Sequence, residues 1–234
     1  MAAIAYRAGG SALQTATTTL GLVAPTVLPD DILFAVIVSI NNTAVTAPQG
    51  WVLIRDTANT AAMQTYLGWK RAGADDSGAT FNFTVAGTTT SFGIIVAYSG
   101  ATNKGNPIRQ STISNNAAAD NVTYATLTPE GLDHIVAFGT YAEDLTTSGT
   151  FSGTNPTFTE RIDVENATNE DASIFIWDGP VLTIAATGSR TLDTTSTVDA
   201  VNQGILVELI TQPVPNAGRL GDAVVNYPRN TRIR

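Results

Sequence analysis

Gly93-Ile94-Ile95-Val96-Ala97-Tyr98-Ser99-Gly100 decides the fold, because a near copy, Gly204-Ile205-Leu206-Val207-Glu208-Leu209-Ile210, recurs near the end of the chain. Runs of seven or eight apolar, largely β-branched residues bounded by glycine are too short to span a bilayer and read as strands buried in a sandwich core. Working outward, Asp31-Ile32-Leu33-Phe34-Ala35-Val36 matches Asp133-His134-Ile135-Val136-Ala137-Phe138. The pair Arg55-Asp56 matches Arg161-Ile162-Asp163, and Trp69 matches Trp177. The offset grows from 102 at Asp31 to 111 at Gly93, which places the extra residues in loops, where insertion costs little. A period near 100 is too long for a solenoid and suits two half-sandwiches in one body.

Hydrophobic residues make up 43% of the 234 and charged residues 14%, enough apolar material for a sizeable core. Helical periodicity is hard to find, whereas Phe81, Phe83 and Val85 alternate with Asn82 and Thr84 as a half-buried strand does. In Thr65 to Arg71, Leu67 and Trp69 fall on one face and Tyr66, Gly68 and Lys70 on the other. The expected fold is therefore all-β: a single large antiparallel β-sandwich, jelly-roll-like, built from two pseudo-repeats (about 30–100 and 132–210) within residues 15–211. Residues 1–14 read as an N-terminal arm, and 101–121, rich in Asn, Ser, Thr and Ala, as an irregular crossing between the repeats. About a dozen strands are expected.

Residues 212–234 carry Pro213, Pro215 and Pro228, which deny the chain a central strand, and read as an extended basic C-terminal arm. Residues 1–210 hold 8 basic and 19 acidic residues, whereas 211–234 hold four arginines and one aspartate. Body and tail have opposite sign. Arg219, Arg229, Arg232 and Arg234 suit bidentate pairing with carboxylates, and Val224, Val225, Tyr227 and Ile233 are its apolar anchors, so these eight are the expected partner-binding residues. An acidic body, and arginines without interleaved aromatics, argue against nucleic-acid binding. No apolar run approaches the length of a membrane span, and the first residues lack a secretory pattern.

No cysteine is present, which removes disulfides and thiolate zinc sites. His134 is the only histidine, so a Ser-His-Asp triad would have to use it, and its place in an alternating strand favours a structural role. The acidic pairs Asp30-Asp31, Asp75-Asp76 and Glu170-Asp171 read as solvated turn formers rather than as catalytic carboxylates. No catalytic residue, cofactor or metal site is expected. Trp51 and Tyr66 are candidate sugar-stacking rings, although aromatics at such strand positions usually fill the core.

Ala47-Pro48-Gln49-Gly50-Trp51, Arg55, Trp69-Lys70 and Ala97-Tyr98-Ser99-Gly100 together resemble a pattern of β-sandwich structural proteins of tailed bacteriophages, also found in bacterial surface proteins. The resemblance spans about residues 30–210. It departs at Asp30, where the pattern usually has glycine. It implies a virion structural protein assembled in the host cytoplasm, a capsid decoration or cement protein. Its partners would be the major capsid protein lattice and neighbouring copies of itself, as a dimer or trimer. The alternative is a tail- or fibre-associated or surface glycan-binding β-sandwich module. Neither expectation involves an enzyme or a membrane.

Overall fold

The computed structural model of the chain describes residues 3–142, 148–166, 172–195 and 200–212. The first half contributes β1 (Ala5–Gly9), β2 (Leu13–Thr15), β3 (Thr19–Val23), β4 (Ile32–Ile40), β5 (Val45–Thr46), β6 (Val52–Asn59), β7 (Met63–Arg71), β8 (Thr80–Val85) and β9 (Ser91–Ser99). The second contributes β10 (Ile108–Ala119), β11 (Val122–Tyr124), β12 (His134–Tyr141), β13 (Ser148–Phe151), β14 (Thr159–Asn166), β15 (Ala172–Pro180), β16 (Arg190–Thr194) and β17 (Ala200–Leu209). Every strand pairing is antiparallel, and the described residues contain no helix.

Each half forms a large and a small sheet with the same strand order. The large sheets run β1-β9-β4-β7-β6, with β2 also on β9, and β10-β17-β12-β15-β14; the small ones run β3-β8-β5 and β11-β16-β13. The two large sheets face each other, so the body is a stack of four layers, small-large-large-small. Ile32, Phe34, Val36 and Val38 of β4 meet Val136 and Phe138 of β12 in the central core, where the Phe34 and Phe138 rings lie 5.2 Å apart. Leu33, Ala35 and Ile37 turn the other way onto Leu20, Leu22 and Phe83 of the first small sheet. In the second half Ile135 and Ala137 likewise meet Val122, Tyr124 and Leu192. A large sheet covered on both faces explains why its strands read as unbroken apolar runs, while the one-sided β8 alternates. Glycine permits close approach of the layers: a Cβ on Gly204 would lie 2.2 Å from the Thr123 carbonyl oxygen of β11.

The registers correct four details of the sequence reading. Residues 5–9 and 13–14, expected within the arm, lie in β1 and β2 on the edge of the first large sheet; their few apolar side chains hid edge strands that need little burial. Residues 108–119, expected to be irregular, form the 12-residue β10, whose Gln110, Asn115 and Asn116 side chains bond to side chains of the neighbouring strand β17 instead of alternating with apolar residues. Phe34 pairs with Trp69 while its equivalent Val136 pairs with Asp178, so Trp69 corresponds to Asp178 and Trp177 to Gly68. A one-residue slip reverses faces: Trp69 packs on the central core and Trp177 on the outer one. The β-bulges coincide at Ile54 and Arg161, so Arg55 corresponds to Ile162 rather than to Arg161. Asp30, where the pattern it departs from has glycine, adopts φ 72°, the left-handed conformation glycine would supply.

Candidate functional site

Both halves carry one ion pair at equivalent positions. The first strand of each large sheet sends an arginine to the aspartate that precedes the first core strand: Arg7 Nε lies 2.5 Å from Asp31 Oδ2, and Arg109 Nη2 2.8 Å from Asp133 Oδ2. Asp133 Oδ1 also accepts from the Thr211 amide and hydroxyl, each at 3.0 Å, which anchors the end of the second half. Glu208, fully buried beside Arg109, accepts from the Gln110 amide at 2.6 Å and from the Glu130 and Gly131 backbone N–H groups at 3.0 and 3.2 Å. Burial pushes its pKa above 4.5 in spite of those bonds. These pairs were legible in the equal spacing of Arg7/Arg109 and Asp31/Asp133, but only once residues 1–14 join the repeat.

A polar corner lies between the large sheets where β1 meets β14. Asp178, 1% exposed, receives Arg161 bidentately, Nε to Oδ2 at 3.0 Å and Nη2 to Oδ1 at 2.9 Å. His134 Nε2 stands 3.5 Å from Asp178 Oδ1, and the Arg161 guanidinium covers the Tyr6 ring at 5.6 Å. Tyr6 meets Tyr98 edge to face at 5.7 Å. Burial alone would raise the Asp178 pKa, yet contacts with His134 and Arg161 hold it below 3.8. Burial, then the charge of Asp178, pushes the fully buried Tyr98 phenol well up, so that ring stays neutral. The corner therefore joins the two halves: Arg161 and Asp178 of the second neutralise each other against two tyrosines of the first. This places the lone histidine in a structural setting.

The pseudo-symmetric position, where β10 meets β6, has different chemistry. Ile108, Leu209, Ile32, Ile54 and Trp69 stand where the polar corner has Tyr6, Tyr98, His134, Arg161 and Asp178, as the paired registers require. Here the layers leave an open groove of about 220 Å³. Its walls include Val52, Leu53 and Ile54 on β6 and Ile108 to Ser111 on β10, with Trp69 half-buried between. Val52 and Leu53 are 47% and 56% exposed on a strand that pairs only with β7. Beyond the groove the two edges are stitched: Arg55 donates to the Ser111 carbonyl at 2.7 Å and Asn59 to those of Asn116 and Asn202 at 2.9 and 2.8 Å.

Of the residues singled out from sequence, Tyr66 is 2% exposed and packs edge-on against Phe83 in the outer core, so it offers no ring to a sugar. Trp51 is half-buried against Phe81 and Phe83. Asp76 bonds Lys70 and the Gly73 amide; burial opposes its ionisation, but those two partners bring its pKa below 3.8. Arg219, Val224, Val225, Tyr227, Arg229, Arg232, Ile233 and Arg234 lie outside the described residues. Among the described residues no three His, Asp or Glu side chains stand close enough to hold a metal ion, and no helix is long and apolar enough to cross a membrane. Comparisons with protein families, curated proteins and solved structures found no match.

Proposed function

We propose that this chain is a virion structural protein that decorates and cements a phage head, binding the major capsid protein lattice and neighbouring copies of itself. The observation that carries this reading is the contrast between its buried and exposed chemistry. Asp31, Asp133 and Asp178, the buried aspartates, are each locked to an arginine in a structural pair. The exposed apolar features are instead an open strand edge and a shallow groove, which suit packing against peptide rather than turnover of a substrate. A four-layer body with a basic C-terminal extension suits attachment to a lattice better than turnover of a substrate. Quantitative protein counting on purified particles tests it: hundreds of copies per particle are expected, and a handful would assign the chain to a tail or fibre instead.

A second reading, a glycan-binding module, draws on Trp69, which is partly exposed in a groove beside Asn106, Arg109 and Gln110. Glycan-array binding abolished by Trp69→Ala with the melt intact supports it; an array without signal removes it.

A further inference from the structure

The groove between β6 and β10 is built for an extended peptide. At about 220 Å³ it is smaller than the ~300–1,000 Å³ typical of small-molecule sites, and it suits one or two side chains rather than a whole ligand. Its β6 wall is an open strand edge with two consecutive exposed aliphatics, Val52 and Leu53, and no lysine or proline to discourage pairing. Such an edge accepts an added strand through its backbone, while alternate side chains of that strand fill the neighbouring pocket.

The occupant is indicated by where the described chain ends. Ile210 donates to the Pro107 carbonyl at 2.8 Å and Gln212 to that of Gly100 at 3.1 Å, so the last described residues run alongside the 100–107 segment, whose far end lines the groove with Asn106 and, just beyond it, Ile108. From β9, which ends at Ser99, to β6 is three strand spacings, about 14 Å. Twelve residues from Gln212 to Val224 reach up to about 40 Å, so the span is easily covered. Among residues 213–234, Val224, Val225 and Tyr227 form the one cluster of three β-formers within four residues; glycine at 221 precedes it and Pro228 ends it.

We propose that Val224 to Tyr227 of the same chain add as a strand to the β6 edge, setting Val225 and Tyr227 into the groove against Trp69 and Ile108. Val225 and Tyr227 are two apart and so share a face, and the strand covers Leu53. This holds whether or not the protein belongs to a particle.

Hydrogen exchange on the full-length chain, read by mass spectrometry, tests it. Amides of residues 224–227 are expected to exchange at least ten-fold more slowly than in a free peptide of residues 213–234. Leu53→Lys on the edge should restore free-peptide rates there, and Val225→Lys, which leaves the body untouched, should do the same. The double variant should add nothing, and the amides of β4 and β12 should stay as slow as in the wild type. Free-peptide rates in the wild type, or slow exchange that survives either single variant, overturn the proposal. Protection lost on dilution overturns it too, since the occupant would then come from a second copy.

Discussion

The two interlayer corners are built on one backbone plan and filled with opposite chemistry. At the β1/β14 corner the five facing positions are Tyr6, Tyr98, His134, Arg161 and Asp178; at the β6/β10 corner they are Ile108, Leu209, Ile32, Ile54 and Trp69. The polar corner is closed, because a buried carboxylate is stable only with its charge answered, and the bulged Arg161 reaches in to do so. The apolar corner has no such demand and is left open, with half-buried Trp69 and exposed Leu53 available to an added strand. A duplicated fold thus provides one position for internal attachment and a second, geometrically equivalent, for recognition.

The largest expected effect tests whether the two halves share a core at all. Phe138→Ala removes a ring fully buried between the large sheets and should lower stability by about 3–5 kcal/mol while chemical denaturation remains a single transition. Two separate transitions would mean that the halves fold independently and the corners are mere contacts. Next, Asp178→Ala leaves Arg161 facing half-buried Tyr6 and buried Tyr98 and should cost about 3 kcal/mol, whereas Trp69→Ala at the matching position should cost about 2 kcal/mol because that ring is already part exposed. Urea midpoints in the reverse order would break the assignment of attachment to the polar corner.

A smaller difference separates the duplicated ion pairs. Arg109→Ala should cost about 2 kcal/mol and Arg7→Ala about 1 kcal/mol, since Arg109 also stands 3.5 Å from the buried Glu208 whereas the equivalent of Glu208 in the first half is Ala97. Equal losses in thermal melts would show that Glu208 is balanced by Gln110 and its backbone donors without Arg109.

The smallest effects are in pH dependence, and the two carboxylates have opposite sign. Asp178 has a lowered pKa, so its stabilisation is present above 3.8 and is lost as pH falls through the folded-state value below that; the gap between wild type and Asp178→Ala should narrow in acid. Glu208 has a raised pKa, so the unfolded chain releases its proton first and stability falls as pH rises through 4.5 toward the folded value. Glu208→Gln should flatten that part of the stability curve, as followed by melts across pH 4 to 7. An unchanged slope would show that Glu208 ionises as readily in the fold as outside it.

Much of the fold was legible in the residues. Repetition of the Gly93 and Asp31 stretches set two β units, and period-two spacing assigned Leu67 and Trp69 to one face and Tyr66 to the other, as the two cores have them. The candidate site was not legible in the same way. Edge strands β1 and β10 lack the apolar alternation that marks a strand, so the ion pairs and the groove wall they carry went unseen. Similar tryptophans suggested that Trp69 and Trp177 were equivalent, but register set Trp69 opposite Phe34 and Trp177 opposite Ala137. Sequence by itself determined that the chain makes doubly buried strands twice over, because hydrophobic periodicity is local. Only the tertiary structure decided that the two large sheets stack on each other and that Tyr6 meets Arg161 while Ile54 meets an open groove. Those outcomes depend on which faces of equally apolar strands find each other, often across more than a hundred residues of chain, and a strand buried on both sides carries no mark of which face meets which neighbour.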